Sequence, residues 1–399
     1  MTQYDVVIQG AGMAGLAFAA VLAPSKLRIA VVDAQPVPRW REEQMAIRVS
    51  AITAASERIL RAVGAWDQIL ASRASPFRVI EAYDAEGGGK VRFDSAEIGE
   101  PYLGHIVENI LVQQALYERL QRHDNVSFFI PAAIETLTLD DDGAEAVLED
   151  GRRLQAALVV AADGARSPLR AMVGIGVDER EYGQLAVVGA IRTSRPHGEV
   201  ARQRFLNGGP LALLPLLDGR CSIVWSLPRE EAQRMLALGD DAFCQALTEA
   251  SAHLLGTVLE IEERAAFPLR RQHAKQYCKS RFALIGDAAH VIHPLAGQGA
   301  NLGFLDAAVL AERVADAAER GRDIGGLGTL RRYERARKGD NLAMQYAMDG
   351  FDRLFRAQLP ALAGLRSLGF DSVDRLPPLK AFFMRQAMGE GRELPTLAR

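Results

Sequence analysis

Charge of one sign is scarce in this 399-residue chain: 47 basic and 50 acidic side chains leave a formal net charge of −3, and no long run of like charges occurs. Such a balance offers no field to hold a polyanion, so nucleic acid is not an expected partner. Cysteine is scarcer still. Cys221, Cys244 and Cys278 are an odd count without CxxC spacing, which excludes a disulfide framework and a cysteine zinc site and fits a reducing, cytoplasmic compartment. The 7 histidines form no HExxH motif and no dense cluster with acids, so no metal is expected. Long apolar runs are also missing, with one case to weigh. Val6 to Ser25 carries no charge and has the length of a membrane span, yet it holds Gly10, Gly12, Gly15 and Pro24 and is preceded by Asp5. It reads as neither a span nor an export signal. With 49% hydrophobic and 24% charged residues, the chain is expected to be globular and long enough for two or three lobes.

What is present is a series of short apolar strands with glycine and acid at their ends. Asp5 to Gln9, Leu27 to Asp33, Ala156 to Ala162 and Phe282 to Ile285 are continuous Val/Ile/Ala runs, as expected of parallel strands covered by helices on both faces. From Gly183 to Pro268 the pattern changes to short or alternating stretches, Leu185 to Arg192, Leu211 to Leu217 and Cys221 to Leu227, separated by turn signals. This predicts an inserted, mostly antiparallel sheet. Gly303 to Arg322 and the chain beyond Leu330 are helix-prone, with breaks at Pro360 and Pro377-Pro378. Met344, Met348, Phe351, Leu354 and Phe355 recur at helical spacing, which reads as core or interface, or as the border of an entry for an apolar substrate.

Gly10-Ala-Gly12-Met-Ala-Gly15 is a GxGxxG directly after a strand and opening a helix, and Asp33 ends the next strand roughly 20 residues on. The first glycine allows a tight turn, the second lets backbone approach a pyrophosphate, and the third lets helix and strand pack closely. Asp33 is then placed for ribose hydroxyls. The motif alone leaves FAD and NAD both open.

Two further motifs bear on that choice. Ala161-Ala-Asp163-Gly-Ala-Arg-Ser167, and Gly286-Asp287-Ala-Ala-His290 followed by Pro294-Leu295-Ala-Gly297-Gln298-Gly299-Ala300-Asn301, resemble the DG and GD motifs of single-component FAD aromatic monooxygenases. Arg48 to Ser56, Leu103 to Asn109, Cys221 to Leu227, His293 to Gly299 and Arg331 to Arg335 are similar to the ubiquinone-biosynthesis hydroxylases within that group. The resemblance implies an α/β fold: a Rossmann-like FAD-binding domain of the p-hydroxybenzoate hydroxylase type, an inserted mostly antiparallel sheet domain and a helical C-terminus. The expected division is 1–75, 98–182 and 275–330 for FAD, 76–97 and 183–274 for substrate, and 331–399 for the helical region. It further implies that Asp287 holds the ribitol chain and that Gly297, Gln298 and Gly299, with Ala300 and Asn301, lie along the flavin pyrimidine edge. Asp163, Arg48, Asn109 and Gln113 join the expected cofactor set. Gln9 stands where the family usually has glycine, and Ala300 where valine is common. His290 and His293, without a paired carboxylate motif, read as cap or turn residues, and no catalytic base is assigned.

The activity implied is hydroxylation of the ring of a polyprenylated phenol through a flavin C4a-hydroperoxide. Leu213, Pro215 and Trp225 are expected on one wall of the pocket, with Pro294 and Leu295 on the other. Pro196 to Gln203, Cys221 to Leu227 and Glu230 to Met235 are most similar to the branch acting at C5, whereas Met172 to Tyr182 is similar to the branch acting at C6. A pocket wall bears on ring orientation, so C5 is expected and C6 is the alternative. Two rivals keep the glycine motifs, an FAD-dependent prenyl reductase or dehydrogenase and a non-enzymatic flavin-bound partner. The implied partners are a hydrophobic aromatic substrate and O2, with NAD(P)H or another reductant as electron source. No second GxGxxG unit names the donor. Peripheral membrane contact, membership of a biosynthetic complex and homo-oligomerisation all remain open.

Overall fold

The computed structural model describes residues 2–293, 299–356, 373–374, 376–389 and 394–399. Its first layer is an eight-stranded sheet. β1 (Thr2–Gln9) lies between β2 (Ile29–Val32) and β11 (Arg153–Ala161), with β8 (Val126–Phe129) beyond β2, and β19 (Phe282–Leu284) and β18 (Cys278–Lys279) beyond β11. β1, β2, β8, β11 and β19 are parallel, and β9 (Ile134–Leu139) with β10 (Ala144–Leu148) branches antiparallel from β11. Val6, Val7, Ile8, Ile29 to Val32 and Leu158 to Ala161 are buried on both sides of the sheet, which is why these strands lack alternation.

The apolar run Val6 to Ser25 is accounted for by β1 and by α1 (Met13–Leu22), a helix buried along Leu16 to Ala20 and packed against α8 (Gly299–Glu319) and α4 (Asn109–Leu120). Among the described residues, no helix is long and apolar enough to cross a membrane. A small antiparallel sheet joins β3 (Val49–Thr53), β7 (Gly104–Glu108) and β4 (Ala74–Phe77), flanked by α2 (Ala54–Ala62) and α3 (Trp66–Arg73).

The second large sheet has nine strands. Its order is β20 (His290–Val291), β17 (Ala265–Ala274), β12 (Val177–Thr193), β15 (Cys221–Pro228), β14 (Gly209–Pro215), β13 (Val200–Leu206), β5 (Val79–Asp84) and β6 (Lys90–Asp94), with β16 (Val258–Ile261) also on β12. All pairs are antiparallel except β13 with β5. One face is covered by α6 (Arg229–Ala237) and α7 (Asp240–Ala250) through Ala232, Met235, Phe243 and Leu247. The opposite face meets the small sheet and α10 (Pro377–Ala387), where Met384 and the following Met388 pack near Phe77, Leu103, Ile106 and Leu216.

α9 (Leu327–Arg356) runs between the two large sheets and buries a polar stripe. Tyr333, Arg337, Asn341, Gln345 and Asp349, each one helical turn from the next, are all buried. Of the apolar stripe expected on this helix, Phe355 is buried and stacks on Phe205 at 3.9 Å, whereas Phe351 and Leu354 are exposed. Pro360 lies outside the described residues, and Pro377 opens α10.

Candidate active site

Parallel strands carry their ligands at their C-terminal ends, where the direction of the connections changes. β1, β2, β11 and β19 end at Gln9, Val32, Ala161 and Leu284, and the residues that follow are Gly10, Asp33, Ala162-Asp163 and Ile285-Gly286-Asp287. Topology thus brings motifs from across the chain to one edge. They are stitched sideways: Gly10 N–H donates to Val32 O at 2.7 Å, Ala162 N–H to Gln9 O at 2.8 Å, and Ile285 N–H to Ala161 O at 3.1 Å. The Gln9 side chain accepts from Ile134 N–H at 3.2 Å, so glycine is not needed there.

The three motif glycines differ in what they face. Gly10 has φ +114° and its added Cβ would lie 2.3 Å from Ala162 O, while a Cβ on Gly15 would lie 2.0 Å from Gly10 O. Both are demanded by the protein itself. Gly12 has φ −73°, and a Cβ there would meet nothing within 4 Å. Its bareness answers to no packing within the chain. It also caps α1 without a side-chain acceptor, which leaves the first N–H groups of the helix available to an anion. Asp33 accepts from Ala11 N–H at 2.6 Å and Gln35 N–H at 2.8 Å, which ties the end of β2 to the glycine loop.

Asp287 is exposed to solvent, yet burial is the largest influence on its pKa, raising it against the pull of His290, Arg48 and Arg270. Among the described residues no donor reaches it at hydrogen-bonding distance, so it is ready for a ligand hydroxyl. Asp163 behaves alike: one oxygen accepts from Leu169 N–H at 3.2 Å, the other is buried without a partner, and burial raises its pKa. An open glycine loop, an uncapped helix and two carboxylates with spare acceptor capacity fit a dinucleotide with a hydroxylated chain. Replacing Asp287 with alanine is expected to weaken flavin binding by about 10- to 100-fold, the worth of one charge-assisted hydrogen bond, with little change in melting temperature. Titration of the deflavinated variant with FAD checks this, and an unchanged Kd would leave Asp287 as a turn residue only.

Two calipers position the neighbouring loops. Gln113 Nε2 donates to Ala11 O in the glycine loop at 2.7 Å, and Asn109 Oδ1 accepts from Ser50 Oγ on β3 at 2.7 Å. Glu108, buried at the end of β7, accepts from Trp40 Nε1 at 2.9 Å and Ala46 N–H at 2.7 Å and pairs with Arg73 Nε at 2.9 Å. This clamp fixes the segment leading to Arg48, which the sequence reading did not anticipate because Trp40, Arg73 and Glu108 are far apart along the chain. Arg48 is exposed, with its guanidinium 5.5 Å from the centre of the Phe267 ring. Gly299, Ala300 and Asn301 open α8. Asn301 is buried; it accepts from Thr53 N–H at 3.1 Å and donates to Ala51 O at 2.8 Å, tying α8 to β3. Pro294, Leu295, Gly297 and Gln298 lie outside the described residues.

Strand alternation sorts the pocket wall. Leu213 pairs with Ile223, Pro215 with Cys221, and Leu211 with Trp225, and Leu213, Cys221, Ile223 and Trp225 share the core with α6 and α7. The expected wall residues Leu213, Pro215 and Trp225 therefore sit on the outer face of the sheet, because a one-residue step along a strand changes the face. The inner face carries Ala212, Leu214, Val224 and, on β17, Phe267. Val224 packs near Ile47, and Leu214 near Val49 and Ala51, so this face looks onto the segment that carries Arg48. The sequence pattern showed the alternation but not which face meets the cofactor layer. His290 likewise has a carboxylate partner, Asp306 at 2.5 Å, supplied by α8 rather than by its own motif. No group of residues suited to a metal occurs among the described residues.

A parallel-cored sheet with dinucleotide motifs at its strand ends, a small sheet beside it and an antiparallel roof make up the fold of the flavin-dependent monooxygenases of the p-hydroxybenzoate hydroxylase type. A family model described as an FAD binding domain matches residues 3–344, and the chain belongs to that family. It is 38% identical over 389 residues to the 3-demethoxyubiquinol 3-hydroxylase of Escherichia coli (strain K12), covering 96% of this chain and 98% of that protein. It is 38% identical over 398 residues to the ubiquinone hydroxylase UbiL of Rhodospirillum rubrum, covering 99% and 92%. Among solved structures, p-nitrophenol 4-monooxygenase PnpA from Pseudomonas putida DLL-E4 superposes with a TM-score of 0.80 at 20% identity, over 99% of this chain and 100% of that one, a likeness of fold. The chain is an FAD-dependent aromatic hydroxylase.

Proposed function

We propose that this hydroxylase acts on the ring of a polyprenylated phenol or quinol in ubiquinone biosynthesis. The observation that carries the reading is the inner face of the roof sheet, an apolar surface of Ala212, Leu214, Val224 and Phe267 opposite the Arg48 segment, in a chain similar over nearly its whole length to hydroxylases of that pathway. FAD bound at the strand ends supplies the two-electron chemistry by which one oxygen atom of O2 enters an aromatic ring. The chain's own work is binding and placement. Gly12 and the start of α1 receive the pyrophosphate, Asp33 the ribose, Asp287 the ribitol hydroxyls, and the opening of α8 lends its N-terminal N–H groups to the flavin edge. Arg48 and Phe267 flank the space between flavin and roof, and the apolar face excludes water while presenting one ring carbon.

The name of the Escherichia coli relative favours the demethoxyubiquinol-type step at C6, which we take as the first reading. The likeness of the substrate lobe to the C5 branch supports the second. A strain lacking the protein, analysed by mass spectrometry, separates them. Build-up of the methoxylated, methylated quinone lacking its last hydroxyl is the expected result, whereas loss of the first ring hydroxylation assigns C5 instead. An unaltered quinone profile would remove the protein from this pathway. NAD(P)H is proposed as reductant. A substrate with a polyprenyl tail resides in the bilayer, so the chain is proposed to meet it by peripheral membrane contact or within a complex.

A further inference from the structure

Against the Gly286-Asp287 turn lies a charged cluster that nothing in the proposed chemistry uses. Asp306 on α8 has no exposed surface, yet its carboxylate accepts from four donors: Gly286 N–H at 3.1 Å, His290 Nε2 at 2.5 Å, Arg337 Nε at 2.9 Å and Asn341 Nδ2 at 3.0 Å. Burial alone would raise its pKa, but His290, Arg337 and Asn341 outweigh this and bring it down to about 2. The four donors come from two directions. Arg337 and Asn341 belong to the buried stripe of α9 and grip the carboxylate from behind. Gly286 directly precedes Asp287 and His290 follows it by three residues, and His290 is the largest of the influences that lower the Asp287 pKa.

The rest of the stripe extends the same grip. Tyr333 donates to Leu284 O at 2.7 Å, at the end of the strand that leads into the turn. Gln345 Nε2 donates to Gln272 O at 3.1 Å and Val291 O at 3.0 Å, and Asp349 pairs with Arg271 at 2.7 Å and with the Tyr182 hydroxyl. One helix therefore holds the cofactor turn at one end and the roof sheet at the other.

We propose that Asp306 is a positioning residue for the cofactor: held by Arg337 and Asn341, it fixes the Gly286-Asp287 turn and the His290 ring so that the Asp287 carboxylate faces the flavin side chain. The alternative role for such a buried cluster is stability alone. A buried ion pair is weak grounds for net stability, because desolvation cancels much of the attraction, so a purely stabilising role is the less economical use of four donors.

A second carboxylate serves as control. Glu81 on β5 is also buried and also held at about 2, where burial is outweighed by Tyr83, Lys90 and Arg202, but it sits on the outer face of the roof sheet, away from the strand-end motifs. Asp306→Asn, Asn341→Ala and Glu81→Gln are compared as purified deflavinated proteins for melting temperature and FAD Kd, and as reconstituted holoproteins for the flavin absorption spectrum. Asp306→Asn is expected to weaken FAD binding by about tenfold or more and to shift the spectrum, with Asn341→Ala changed in the same direction by less. Glu81→Gln should lose melting temperature without moving Kd or spectrum. If Asp306→Asn does not fold, Asn341→Ala decides, since it removes an uncharged side chain that donates to Asp306 and accepts from Arg337, and leaves the charges in place. Wild-type Kd and spectrum in the folded Asp306 or Asn341 variant, or changes no larger than in Glu81→Gln, would overturn the proposal.

Discussion

Gly12→Val is expected to yield a folded, colourless protein. Most substitutions in a glycine loop confuse loss of fold with loss of ligand, but here the two separate. A Cβ at Gly12 meets no protein atom within 4 Å and the backbone there has negative φ, so valine costs the apoprotein only about 1 kcal/mol, the loss of a favoured N-cap residue. The same side chain would occupy the approach to the pyrophosphate, and FAD retention should fall by at least about a hundredfold, the loss of about two charge-assisted contacts. Gly15→Ala should behave in the opposite way. Its Cβ would lie 2.0 Å from Gly10 O, and overpacking of this kind costs about 1–3 kcal/mol or more before any ligand is considered. Melting of the deflavinated proteins, compared without FAD because bound ligand raises apparent stability, followed by FAD titration, distinguishes them. A yellow Gly12→Val protein would remove the loop from the cofactor site.

Val224→Trp and Trp225→Ala should divide function from stability within one dipeptide. Trp225 is buried on the outer face, edge-on to Phe243 with ring centres 6.4 Å apart, and its truncation leaves a cavity under α6 and α7. The expected loss is about 3–5 kcal/mol of stability. Ring position and FAD affinity should not change. Val224 is half-buried on the inner face, so tryptophan there grows into the space between roof and flavin. FAD binding and melting temperature should stay near wild type, while substrate turnover falls by about a hundredfold through displacement of the ring. Product analysis beside melting curves tests both. Loss of turnover in Trp225→Ala at a temperature where it is folded, with Val224→Trp fully active, would mean that the pocket is on the other side.

Much of the cofactor half was legible in the chain because its signals are local. A parallel strand, a glycine turn and a helix start are consecutive, so Gly10, Gly12, Gly15 and Asp33 announce their geometry without tertiary context. The acids at Asp163 and Asp287 follow short apolar runs in the same manner. What stayed hidden depends on partners distant in sequence. Gln113 and Asn109 were expected beside the cofactor, but their hydrogen bonds to Ala11 and Ser50 could not be read from the chain. His290 showed no carboxylate nearby in its motif, since Asp306 arrives from the next helix. Arg337 and Asn341 lie in a helix whose apolar positions drew attention, while its buried side is polar.

The amino-acid sequence by itself determined four of the parallel strands, the dinucleotide loop and the change of texture at three roof strands, because each depends on the spacing of residues along a short stretch of backbone. Only the tertiary structure decided which face of the roof looks at the cofactor layer, that Leu213 and Trp225 belong to the covered face, and that Asp306 gathers donors from a strand end and a remote helix. The physical reason is that alternation has two equivalent solutions until something covers one face. A buried charge, likewise, can be satisfied only by groups that the whole fold brings within hydrogen-bonding distance.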